Sequence, residues 1–145
     1  MILRRFEISE DIGAPAARVW DVLLDFAAWP EWNPFIERVE GRLEEGATIY
    51  LHVRLGRSKR ARQPECLDVM RHGEALVWST KMVHPWLFAA TRRQTVEPLG
   101  GNRSRYHSVE VMTGPVAALT GFFYGDDLRR GFAAMAAGLR RRAEG

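Results

Sequence analysis

The chain has 145 residues, 46% apolar and 27% charged, with a formal net charge of +3 and a pI of about 9.5. Such a chain can bury a real core, so the expectation is one domain over residues 1–145. One cysteine, Cys66, excludes an internal disulfide, and no segment approaches the ~20 apolar residues of a spanning helix.

The opening MILRRFEISED lacks an apolar run of signal-peptide length, so a cytoplasmic protein without stable membrane insertion is expected. Of 21 basic residues 19 are arginine, scattered along the chain. That scatter reads as a solvated surface rather than a nucleic-acid footprint, and no nucleic-acid partner is expected. The densest run, Arg57 to Arg62, follows Gly56 and reads as a hairpin tip.

Arg4 to Ser9 alternates, with Phe6 and Ile8 on one face, and predicts a half-buried strand. Gly13-Ala-Pro15 breaks it. Proline suits a first helical turn, and Val19, Val22, Leu23 and Phe26 follow at helical spacing. Trp29 to Pro34 cannot extend that helix regularly, because Pro30 and Pro34 disfavour a helical residue before them. A short helical turn is expected there, its tryptophans either plugging the core or touching a ligand, with the plug favoured.

Strands are then predicted over Phe35–Arg42, Ala47–Leu55, Glu65–Arg71, Ala75–Met82, Phe88–Glu97 and Arg103–Met112. The last two are joined at Pro98–Asn102, a strong turn signal. Leu128, Phe132, Met135 and Leu139 step by four, three and four, which predicts a long amphipathic helix from near Pro115, kinked around Gly121 or Gly125. Val111 to Gly125 carries no charge and reads as a buried helix start, a glycine-hinged lid, or a membrane-touching patch of Phe122, Phe123 and Tyr124. Burial is favoured, because no basic face adjoins those aromatics in the sequence. Six consecutive strands followed by such a helix predict an antiparallel sheet with the helix laid on it.

The sequence resembles the START-like (SRPBCC) superfamily, which includes polyketide cyclases/dehydrases and lipid-transfer proteins. The resemblance rests on Ala14 to Asp21, on Trp29-Pro-Glu-Trp-Asn-Pro-Phe35, on Ala75-Leu-Val-Trp78, on Val96 to Gly101, on Glu110 followed by Gly114, and on Arg130-Gly-Phe-Ala-Ala-Met135. It implies an α+β helix-grip fold: an antiparallel sheet wrapped around the C-terminal helix, two short helices after the first strand, and an apolar cavity between. It does not imply one chemistry. Where relatives often carry an aromatic, this chain has Gln94.

In register with the apolar positions, Arg92 and Gln94 share one strand face, and Tyr106, Ser108, Glu110 and Met112 share another. The resemblance turns both faces inward. A buried arginine and a buried carboxylate each need a partner, so Arg92 and Glu110 are candidates to supply each other across neighbouring strands. They are either a structural pair or, with Tyr106, the fixing groups for the polar end of an apolar ligand. The expected cavity lining is Leu51, Val53, Trp78, Thr80, Met82, Arg92, Gln94, Tyr106, Ser108, Glu110, Met112, Phe122, Leu128, Phe132 and Met135.

His52, His72, His84 and His107 have no metal-type spacing, and HExxH, GxSxG, a Walker loop and GxGxxG are all missing from the sequence. No metal or cofactor is therefore expected. Cys66 reads as a small core residue. Three functions follow: carriage of a small hydrophobic molecule (lipid, aromatic or polyketide-like), which is favoured; a cofactor-free cyclase/dehydratase using Glu110 or Tyr106; and a protein-interaction module of chaperone-activator type.

Overall fold

The structure, a computed structural model, describes residues 3–81 and 84–145. Strand β1 (Leu3–Ile12) leads into helix α1 (Ala16–Leu24), whose N-cap is Pro15 in extended conformation. The stripe Val19, Trp20, Val22 and Leu23 is buried. A 3₁₀ turn follows over Phe26–Glu31 with Pro30 inside it, so the two proline signals end α1 as expected without abolishing helical structure. Asn33 Oδ1 then accepts from the backbone N–H of Phe35 (3.0 Å) and Ile36 (2.9 Å), turning the chain into β2 (Ile36–Gly41).

The remaining strands are β3 (Thr48–Leu55), β4 (Lys59–Arg71), β5 (Ala75–Lys81), β6 (Ala89–Gly100) and β7 (Arg103–Thr113), and the chain ends in helix α2 (Pro115–Glu144). All seven strands form one curled antiparallel sheet in the order β1-β7-β6-β5-β4-β3-β2, and α2 lies in its concave face. This is the helix-grip architecture. Period-two alternation decides which side chains reach the helix: Ile49 and Leu51 on β3, Leu67 on β4, Leu76 and Trp78 on β5, Tyr106 and Met112 on β7 are all buried.

Strand β4 is longer than predicted. Pro64 argues against a strand interior, yet β4 runs through it. The pairing explains this: β4 meets β5 only from Cys66↔Ser79 onward, while Pro64 faces Tyr50 of β3 alone. At Pro64 the strand is locally an edge, where a missing N–H costs nothing. The extension puts Ala61, Gln63, Glu65 and Leu67 on the inner side. Cys66 consequently points outward and is exposed, not a core residue.

Helix α2 begins at Pro115 as expected but runs unbroken for 30 residues. Its N-cap, Gly114, has φ 96°, and a Cβ there would lie 2.3 Å from the Leu87 carbonyl oxygen, so glycine is required on both counts. The C-terminal half is buried through Phe132, Met135, Ala136, Gly138 and Leu139. It is pinned by Glu144, which accepts from Gly13 N–H at 2.7 Å, and by an Arg142–Glu31 ion pair at 2.9 Å. The first half overturns the expectation of burial. Leu119 is 59% exposed, Phe122 78% and Phe123 67%. Helical periodicity puts Val116, Thr120 and Leu128 on the sheet side and leaves Phe122 on the opposite one, so Phe122 is not a lining residue.

The tryptophans of the turn form the plug. Trp29 is wholly buried, donates from Nε1 to the Leu23 carbonyl (3.1 Å), and packs on Phe26, Trp32 and Trp78 with ring centroids 4.8, 5.6 and 6.2 Å away. Helix α2 passes this cluster on a glycine: a Cβ at Gly138 would lie 2.4 Å from the Trp32 carbonyl oxygen. Gly138→Ala is therefore expected to lose about 1–3 kcal/mol in denaturant unfolding through overpacking. A change at exposed Ala133 one turn earlier, Ala133→Ser, should stay within about 0.5 kcal/mol.

Candidate functional site

Between the concave sheet face and α2 lies a cavity of about 230 Å³. Nine expected lining residues bound it: Leu51, Val53, Trp78, Thr80, Arg92, Glu110, Met112, Leu128 and Phe132. Phe35, Ile36, Leu55, Ala61, Gln63, Phe88, Ala90, Val116 and Thr120 complete the wall. Arg92 and Glu110 are the only charged groups among the described lining residues. Met82 lies outside the described residues.

Gln94, Tyr106, Ser108 and Met135 are fully or almost fully buried but do not line the cavity. They lie where α2 closes on the sheet, and they hold Arg92 instead. Arg92 is 1% exposed. Its Nε donates to Ser108 Oγ (3.0 Å) and its Nη2 to Tyr106 OH (3.2 Å), with Met135 Sδ 3.4 Å from Nη2. The Tyr106 hydroxyl in turn donates to Gln94 Oε1. The guanidinium centre sits 4.7 Å from the Phe132 ring centroid and 5.6 Å from that of Trp78, close enough for cation–π attraction. Nη1 has no partner.

Arg92 and Glu110 are Cα partners across β6 and β7, as the strand reading implied. They are not a contact ion pair: Arg92 spends its hydrogen bonds on hydroxyls, and its charge acts on Glu110 only through space. Burial pushes the Glu110 carboxyl up to about 7, with Arg92 opposing the rise. Burial also raises the Tyr106 phenol, against Arg92, so Tyr106 stays protonated with its proton committed to Gln94. Of the two catalytic candidates, Glu110 alone stands at the cavity wall.

A second buried carboxyl lies outside the sequence expectations. Glu65, on the inner side of β4, is 6% exposed, and its Oε2 lacks a partner among the described residues. Burial, and then the charge of Glu110, lift it to about 8, while bonds to Thr80 and Gln63 oppose the rise. The predicted strand already contains it, but the register shift between Leu67 and Val69 breaks the alternation that would set Glu65 and Leu67 on one inner face. Cys66, by contrast, has its thiol raised by a hydrogen bond to Asp68 on the outer face, the opposite of an activated nucleophile.

Two other recesses are open to water. One of about 500 Å³ is bounded by Arg18, Asp21, Asp25, Arg141 and Arg142 beside the end of α2, and the other by Arg4, Asp126, Asp127 and Arg130. Both are lined mainly by solvated charges.

The two raised carboxyls set a pH dependence. From about pH 5 to 8 the folded chain keeps protons that the unfolded chain has released, so stability falls as pH rises through that window. The ion-paired carboxylates Glu7, Asp11 and Glu40 are lowered, hence ionised in both states there, and add no slope. Glu65→Gln should flatten the profile, gaining on the wild type by up to about 1.4 kcal/mol for each pH step of one across that window. Denaturant unfolding between pH 5 and 8 measures it.

Solved structures share this architecture. The Zhui aromatase/cyclase from Streptomyces sp. R1128 superposes with a TM-score of 0.80 at 18% identity, covering 99% of this chain and 94% of that one. A START superfamily protein from Mycobacterium smegmatis gives 0.72 at 16% identity, with 97% of each chain covered. Norcoclaurine synthase from Thalictrum flavum, in complex with dopamine and hydroxybenzaldehyde, gives 0.72 at 14%, covering 97% and 86%. No curated protein sequence matches this chain. The family model described as polyketide cyclase / dehydrase and lipid transport matches residues 4–144. With a curled sheet gripping α2 around a cavity and that match over almost its whole length, the chain belongs to the polyketide cyclase/dehydrase and lipid transport family, within the START/SRPBCC superfamily.

Proposed function

We propose that this protein binds and carries a small, mostly apolar, ring-bearing molecule whose polar group sits against Arg92 and Glu110. The carrying observation is the pairing of these two residues as the only charged groups on an otherwise largely apolar described wall. Trp78, Phe88, Phe35 and Phe132 supply ring surface, and Gln63, Thr80 and Thr120 supply hydroxyl or amide groups. Pockets for drug-sized ligands typically span about 300–1,000 Å³. At about 230 Å³ this cavity suits one or two rings better than a long acyl chain. Arg92 is pre-positioned by Ser108 and Tyr106, so the ligand does not have to order it.

A second reading, a cofactor-free cyclase or dehydratase, is favoured by one observation: Glu110, at about 7, is poised to give or take a proton at neutral pH. The cavity would orient a flexible substrate while Glu110 moved the proton. The protein-interaction reading draws on a closed, filled core, which the cavity does not provide.

Thermal unfolding at about pH 7 with fused-ring phenols and ketones tests the proposal, since a ligand of the native state alone must raise the melting temperature. A saturable rise that Arg92→Met abolishes is expected. No rise with any ring compound would contradict the proposal. On any substrate turned over, Glu110→Gln should cut the rate by about 10²–10⁴ while leaving binding within several-fold, and an unchanged rate removes the enzyme reading.

A further inference from the structure

We propose that the outer face of the first half of α2, with the loop before β6, is a docking surface for an anionic lipid bilayer. Among the described residues, four of the five large hydrophobic side chains that are exposed lie here: Trp86 (74%), Leu119, Phe122 and Phe123. Leu119, Phe122 and Phe123 stand at i, i+3 and i+4 and form one ridge, with the two phenyl rings edge to face at 5.1 Å. The Trp86 loop is fastened to the same helix end. Val116 N–H donates to the Leu87 carbonyl at 3.3 Å, and Gly114 lies against the Trp86 and Leu87 carbonyls. The side of this stretch next to the ridge, from Val116 and Thr120 round to Leu128, is cavity wall, so the ridge borders the cavity.

Charge selects the occupant. Leu51 to Arg62, the β3–β4 hairpin, carries five basic residues and no acidic one. Its Lys59 reaches Tyr124 of α2, hydrogen-bonding the hydroxyl and standing 4.2 Å from the ring centroid, and its Gly56 adjoins Asp127. On the other flank the Arg4 side chain lies against Gly121 and borders a recess with Phe122, Phe123, Asp126, Asp127 and Arg130. Asp126 is paired with Arg129 at 3.0 Å. The basic neighbours missing from the local sequence are thus supplied by the fold from β1 and the hairpin.

Interfacial binding scales with buried apolar area plus attraction of cations to anionic headgroups. The ridge is short, so the cations must contribute, which makes the surface selective for anionic over zwitterionic bilayers. A second copy fits less well, because a two-fold contact through this ridge would bring the two cationic hairpins to the same interface.

Co-sedimentation of the full chain with vesicles tests this, using phosphatidylcholine alone or with roughly one third phosphatidylglycerol, at about 50 and about 500 mM salt. Binding to the mixed vesicles at low salt is expected. Partitioning should fall at least about tenfold in Phe122→Ser/Phe123→Ser, in Arg57→Glu, at high salt, and on pure phosphatidylcholine. All three substituted side chains are exposed, and unchanged melting temperatures would confirm intact folds. No binding to mixed vesicles, equal binding by the phenylalanine variant, or equal binding to both lipid mixtures would overturn the proposal. A dimer abolished by the phenylalanine variant, without vesicle binding, would give the ridge to a second copy and overturn it too. Arg92→Met should bind vesicles like the wild type, so this test fails or succeeds apart from the cavity reading.

Discussion

The site depends on one buried charge. Arg92 places a guanidinium, 1% exposed, in the middle of the concave face without a carboxylate in contact. Desolvating such a group is costly unless its hydrogen bonds are replaced. Ser108 and Tyr106 replace two of them, the rings of Phe132 and Trp78 add attraction, and Gln94 takes up the Tyr106 proton. Each partner comes from a different position on the sheet or on α2, so the charge can be held only if strand register and helix seating are both correct.

That requirement connects the distant parts of the fold. The tryptophan turn closes one end of the core, and Gly138 lets α2 pass it closely. Phe132 and Met135 of the same helix are thereby brought to Arg92. Among the described residues both N–H groups of Arg92 Nη1 are left without a partner, and so are Glu65 Oε2, Trp32 Nε1, Asn33 Nδ2 and Gln94 Nε2. Natural folds rarely leave such groups without a reason, and a site that receives a ligand's polar group or a proton is one. Burial keeps Glu65 and Glu110 largely or partly neutral; Arg92 opposes the rise at Glu110 through space, and bonds to Thr80 and Gln63 oppose it at Glu65.

Much of this is legible in the sequence, and the exceptions have physical causes. Alternation places Leu51, Val53, Trp78, Thr80, Arg92, Glu110 and Met112 on the inner face, because a period of two leaves no freedom once one face is buried. It cannot say how deep each residue sits. Tyr106, Ser108 and Gln94 share those faces but lie where α2 closes down, and are supports rather than walls. Glu65 is hidden although it opens the predicted strand, because the register shift between Leu67 and Val69 breaks the alternation that would mark its inner face. Phe35 and Ile36 reach the cavity from the start of β2, a short strand of which only Ile36 is buried, too little for alternation to mark an inner face. Phe122 departs from expectation because an uncharged segment need not be a buried one: the helix divides that segment between cavity and water.

The most direct test is a crystal structure of the protein with 2-naphthol, a fused-ring phenol, at neutral pH. The account predicts the rings inside the cavity between Trp78 and Phe132, with the hydroxyl oxygen within hydrogen-bonding distance of Arg92 or Glu110. A cavity that stays empty, or naphthol bound only in the open recess beside Arg18 and Arg142, would contradict it.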